Sequence, residues 1–349
     1  MRKINIPPIL IHLALFAVIV GFAAFFGEVV MGFVLAAVLL LLNLTLRGAG
    51  KLISGNPYPQ KWFKALLILI NTLVLICGLL YIVQDGFFFF NISDDQSRNF
   101  LRELPNNHEI YFTAGNGKTY HGMMYREESQ NQSGEQKVPL IIYFGGNGEC
   151  ASGHFGGNHR QSRWSHFAGY NYLYVDYEGY GLNDGNPCHL NIYEQVLAVY
   201  DWAVMLPYVD GERIAVMGYS LGTGGAVYLA ANRPVTGLIL VAPYANGYDL
   251  YNNALPIFHG ALKILARHKF VSDKHAPNVD CPILVIASKA DEIVPFESSK
   301  RLAKLFPGGL EAVEFFEIEN VLHNDIFSLY GVYDSIQAFL ERINSAETR

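Results

Sequence analysis

Cysteine is scarce: the chain has four in 349 residues, none spaced as a zinc knuckle, so neither a disulfide scaffold nor a structural zinc site organises it. Charge is also sparse, with 16% charged residues and a net charge of -6, which argues against nucleic acid as a partner because phosphate binding needs a basic surface. A nucleotide-cradling loop is missing too. The one glycine-rich run after a buried strand, "YFGGNGEC" at 143–150, has no Walker lysine and does not fit G-x-G-x-x-G. There is no internal repeat and no long low-complexity segment. No A-x-A-like site closes the first apolar run, which argues against a cleaved signal peptide.

What the chain does have is apolar residues, 51% of the total, concentrated at one end. Residues 9–26, 29–46 and 62–83 form three apolar runs, each near the length that crosses a bilayer core of about 30 Å as a helix. The expectation is a membrane segment over 1–84 with three transmembrane helices. Arg2 and Lys3 precede the first run, and Arg47, Lys51 and Lys61 lie between the second and third, with Lys64 at the start of the third. The positive-inside rule then puts the N-terminus and that loop in the cytoplasm and the remaining domain on the non-cytoplasmic side. This reading makes the chain a multi-pass integral membrane protein with the lipid bilayer as a partner. Residues 85–108 read as a juxtamembrane linker. An external domain would also permit a disulfide between Cys150 and Cys188, which follow neighbouring strands.

From residue 109, short apolar runs alternate with helical periodicity. "EIYFT", "YHGMMY", "VPLIIYF", "YLYVD", "RIAVMG", "GLILVA", "CPILVIA" and "VEFFEI" read as strands. Ile192, Val196, Leu197, Tyr200 and Val204 keep helical spacing within 191–205, and a last helix is expected over 326–343. Strands alternating with helices imply an α/β domain over 109–345, with a mostly parallel eight-stranded sheet, helices on both faces and a ligand site at the carboxyl ends of the strands. Residues 245–279 are where a lid or acyl pocket would be inserted, although their apolar residues equally suit ordinary helix core.

The stretch "RIAVMGYSLGTGGA" ends a buried strand in a serine fenced by glycines. Gly218, Ser220 and Gly222 form G-x-S-x-G, the nucleophile elbow, in which a tight strand-to-helix turn lifts the serine hydroxyl above the sheet edge. A serine so placed needs a base, and the base needs an orienting carboxylate. "ASKADEIVP" offers Asp291 in the loop after one buried strand and "VLHND" offers His323 after the next, in the order serine, acid, histidine. Glu292 and Asp325 compete with Asp291, which is preferred because it comes first in the turn closing its strand. An oxyanion formed on attack needs N–H donors: one from the backbone of Leu221, directly after the nucleophile, and a second from Asn147 in the loop after the third strand.

Taken together, "GYSLGTGGA", "DYEGYGLNDGNP", "ASKADEIVPF" and "VLHND" resemble the membrane-tethered α/β-hydrolases of the serine aminopeptidase-like group, over residues 109–343. That group includes acyl-protein thioesterases and monoacylglycerol or lysophospholipid lipases. The resemblance implies the α/β-hydrolase fold, with Ser220 as nucleophile, His323 as base, Asp291 as its partner, Leu221 and Asn147 as oxyanion donors, and neither metal nor organic cofactor. Asp176, in "DYEGYG", is similar to the group's structural aspartate and stays outside the triad. One departure stands out: such proteins usually carry His-Gly-Asn where this chain has Gly145, Gly146 and Asn147. The implied function is cleavage of ester or thioester bonds in lipid-like or acylated substrates. A serine peptidase with the same triad and a catalytically silent scaffold are the alternatives.

Overall fold

The computed structural model describes residues 16–22, 31–41, 57–90, 107–127, 137–156 and 167–346. Most of the linker, the polar loop around 128–136 and the basic positions Arg2, Lys3, Arg47 and Lys51 lie outside them. The chain divides into two units, Met1–Phe88 with Gly260–Arg267, and Phe89–His259 with His268–Arg349.

The first unit is helical: α1 (residues 16–22), α2 (residues 31–41), α3 (Pro57–Ile82) and α4 (Gln84–Phe88). Ile19, Leu35, Ala36, Leu39 and Ile82 are buried together, and the bare backbone of Gly78 makes room for the Leu35 side chain. Gln84 fastens the later stretch to this unit: its Nε2 donates to the Leu265 carbonyl at 2.8 Å, and its Oε1 accepts from the Arg267 amide at 2.8 Å. Arg267 also pairs with Asp85 at 3.1 Å.

These helices correct the expectation of three membrane spans. Among the described residues, no helix is long and apolar enough to cross a membrane. The third apolar run lies in α3, which carries Asn71 and Thr72 mid-helix. Ile19, Leu35, Ala36, Leu39 and Ile82 form a small core, while Val18, Leu41, Leu66, Ile68 and Leu69 of the same helices are exposed. The multi-pass placement, and the orientation argued from it, are withdrawn.

In the second unit the eight strands are β1 (Asn107–Thr113), β2 (Thr119–Tyr125), β3 (Val138–Phe144), β4 (Asn171–Val175), β5 (Val209–Tyr219), β6 (Gly237–Val241), β7 (Ile283–Ser288) and β8 (Glu314–Ile318). They form one sheet in the order β1-β2-β4-β3-β5-β6-β7-β8. β2 pairs antiparallel with both β1 and β4, and all the other pairs are parallel. Parallel strands buried on both faces explain the near-continuous apolar runs in the sequence. The strand order reverses direction between β3 and β5, and at such a switch point the loops at the carboxyl ends part and leave a crevice.

Among the described residues, the helices that accompany the sheet are α5 (Ala151–Gly156), α6 (His189–Ala203), α7 (Leu221–Ala230), α8 (Gly247–Ala254), α9 (Ser272–His275), α10 (Phe296–Ala303) and α11 (Tyr330–Ala346). One sheet face presents Ile141, Tyr143, Ala215, Met217, Ile239 and Val241, packed with Ile336, Phe339 and Leu340 of α11. The alternate residue Gly218 faces α7, where a Cβ would lie 2.8 Å from that of Ala226. The last helix starts at Tyr330 rather than 326, because His323–Ser328 winds as a 3-10 turn and Leu329 is extended.

The expected Cys150–Cys188 bridge is also corrected, since neither cysteine is in a disulfide. Cys150 is buried beside the Ser152 hydroxyl at 3.3 Å, and Cys188 caps α6 by accepting from the Asn191 amide at 3.4 Å.

Candidate active site

β5 delivers Ser220 to the switch point. The serine holds φ 49° and ψ -115°, a strained conformation for a residue with a Cβ. It is fixed on both sides: its amide donates to the Val241 carbonyl at 2.9 Å, and its carbonyl accepts from the Thr223 hydroxyl at 2.7 Å. The flanking glycines are required by space. A Cβ on Gly222 would fall 2.0 Å from the Phe144 carbonyl oxygen, and one on Gly218 would fall 2.8 Å from the Gly222 carbonyl oxygen.

The structure brings Ser220, His323 and Asp291 into one hydrogen-bonded chain. His323 Nε2 lies 2.8 Å from Ser220 Oγ, and its Nδ1 lies 2.7 Å from Asp291 Oδ2. The side chains of His323 and Asp291 are 4% and 2% exposed, so water does not compete for the bond between them. Asp291 closes β7, where its other oxygen accepts from the amides of Ile293 at 2.9 Å and Val294 at 2.7 Å. An ionised carboxylate only accepts, so the proton sits on Nδ1 and the lone pair of Nε2 faces the serine.

The rival carboxylates do other things. Glu292 Oε2 accepts from the backbone amide of His323 at 3.0 Å, and Asp325 is exposed. Tyr219, which sequence reasoning passed over, stacks on the His323 ring with centroids 5.2 Å apart and donates to its carbonyl at 3.1 Å. Its position next to the elbow serine was the available signal.

Asn147 lies in the turn after β3. Its Oδ1 accepts from the Phe90 amide at 2.8 Å and the Tyr180 hydroxyl at 2.7 Å, so the side chain anchors the turn. Leu221 is the first residue of α7, where backbone amides point along the axis out of the helix. Asp176 stands apart in a buried knot: its carboxylate meets His121 Nδ1 at 3.0 Å and the Ala151 amide at 2.6 Å, while His121 Nε2 meets Glu109 at 3.1 Å. Among the described residues no cluster of His, Cys, Asp or Glu is arranged to hold a metal.

The sequence is similar to several known proteins. The model of the prolyl oligopeptidase family matches residues 159–316. An uncharacterized protein of Mycobacterium tuberculosis is 33% identical over 50% of this chain and 61% of its own length. The lysophosphatidylserine lipase ABHD12 of Danio rerio is 27% identical over 60% of each chain. The chain thus spans about three-fifths of the length of these curated relatives. Among solved structures, an esterase of Pyrococcus furiosus superposes with a TM-score of 0.55 at 13% identity, covering 74% of this chain and 96% of that one. With the sheet order and the elbow, that likeness shows that the chain has the α/β-hydrolase fold.

Proposed function

We propose that this chain is an esterase-type serine hydrolase that cleaves ester or thioester bonds of lipid-like or acylated substrates through an acyl-enzyme. The observation that carries the reading is the continuous Asp291, His323, Ser220 chain of hydrogen bonds at 2.7 Å and 2.8 Å, mounted on a strained elbow. His323 Nε2 takes the hydroxyl proton as Oγ attacks the acyl carbon. The oxyanion is held by the amides of Leu221 and Asn147, and the imidazolium returns the proton to the leaving oxygen or sulfur. Water, deprotonated by the same imidazole, then releases the acid. Asp291 keeps the ring in its working tautomer and balances its transient charge. The lipid-like substrate class is supported by the similarity to a lysophosphatidylserine lipase.

A peptidase reading has one observation in its favour, the match to the prolyl oligopeptidase family, and uses the same triad on an amide. A survey of acyl esters of increasing chain length, thioesters and prolyl peptides, with Ser220→Ala as the blank, separates the two. A Ser220-dependent rate that climbs with acyl length is the expected result. Turnover confined to peptides would replace this reading with the peptidase one.

A further inference from the structure

The turn at 145–149 is gripped by one side chain that the triad does not use. Gly146 N–H donates to Glu149 Oε2 at 2.8 Å, the Tyr143 hydroxyl donates to the same oxygen at 3.0 Å, and Glu149 N–H donates back to the Gly146 carbonyl at 3.3 Å. The Gly146 carbonyl and the Asn147 N–H belong to one planar trans peptide and point in opposite directions. The backbone N–H of Glu149 holds that carbonyl and so sets the direction of the Asn147 N–H, while the Glu149 carboxylate fixes the preceding peptide at the Gly146 N–H and keeps residue 149 folded back on the turn. The carboxylate meanwhile occupies the Gly146 N–H, removing it as a rival donor.

The departure from His-Gly-Asn fits this arrangement. A Cβ on Gly145 would lie 2.0 Å from the Tyr174 hydroxyl oxygen and 3.0 Å from Glu149 Oε2, so a side chain at 145 would displace Tyr174 and crowd the carboxylate folded back from 149. The turn is also registered to the triad, because a Cβ on Gly146 would lie 2.8 Å from the Tyr219 ring that stacks on His323.

We propose that Glu149 is a positioning residue that clamps this turn so that Asn147 N–H, and not Gly146 N–H, meets the oxyanion formed at Ser220. The role rests on the serine hydrolase reading. Burial raises the Glu149 carboxyl above its ordinary value, while the Gly146 amide and the Tyr143 hydroxyl favour its charged, accepting form.

The test compares wild type, Glu149→Ala, Glu149→Gln and Ser220→Ala by steady-state kinetics on the best ester and by amide hydrogen exchange of the peptide covering 143–150. Glu149→Ala is expected to lower kcat about 10- to 100-fold with KM nearly unchanged, somewhat less than outright loss of an oxyanion donor. Exchange in the turn should quicken. Glu149→Gln, whose amide oxygen still accepts, should restore both kcat and slow exchange. A Glu149→Ala enzyme with wild-type kcat, or a Glu149→Gln enzyme as impaired as Glu149→Ala, overturns the proposal. Turnover that survives Ser220→Ala would instead remove the hydrolase reading, and the exchange comparison would still decide whether Glu149 clamps the turn.

Discussion

At Ser220 the backbone stores strain that neighbouring bonds over-determine, and the hydroxyl adds nothing to that geometry. Ser220→Ala should therefore leave the melting temperature near wild type while kcat falls by about 10⁴- to 10⁶-fold, read by calorimetry and ester hydrolysis. The two adjacent carboxylates are separable in the same assay. Asp291→Asn presents an amide to Nδ1 and favours the wrong tautomer, with an expected loss of roughly 10⁴-fold in kcat. Glu292→Gln can still accept from the His323 amide and should cost about tenfold or less. Ser220, Asp291 and His323 were legible because the elbow needs glycines at fixed offsets and delivers its partners in a fixed order. Asp291 was preferred to Glu292 for coming first in the turn, and the structure sets Asp291 on His323 Nδ1 and Glu292 on the His323 amide. Glu149 was not legible, because its role depends on a side chain folding back onto a backbone amide.

Among the elements, the strands were the most readable, since burial on both faces writes apolar runs that few other structures require. Helix starts were less so: the 3-10 turn at His323–Ser328 keeps the composition of a helix while delaying α11. The close approach of α7 to β3 gives a sharp expectation. In Gly222→Ala the new methyl meets rigid backbone, the Phe144 carbonyl, so the variant should lose about 3 kcal/mol or more in urea unfolding, or fail to fold. The start of α6 carries a pH signature. Burial beside His268, with Lys269 nearby, pushes His189 down to about 4. Below the unfolded value of 6.5 the unfolded chain takes up a proton that the folded one refuses, so stability falls as the pH drops from 6.5 toward 4. His108 and His275 are lowered in the same direction, so His189→Gln should shallow that fall without abolishing it, measured as urea midpoints across the range.

At the scale of the whole molecule, composition misled where it was strongest. Apolar runs near spanning length look alike in sequence whether or not they form spanning helices, and among the described residues no helix is long and apolar enough to cross a membrane. No pattern in the sequence announced that Gly260–Arg267 would join the N-terminal helices. Gln84→Ala should release that stretch, leaving the Leu265 carbonyl and the Arg267 amide without their partner at about 1–3 kcal/mol, seen as faster local hydrogen exchange with little change in the β5 strand. The information for the first unit is thus written in two separate places in the gene. A recombination event that exchanged only the N-terminal coding region between relatives would strand residues 260–267 with a foreign counterpart. Such an exchange would succeed only if two further crossovers, both between the codons for β6 and β7 and flanking that stretch, carried it along, so the unit is inherited as a discontinuous pair.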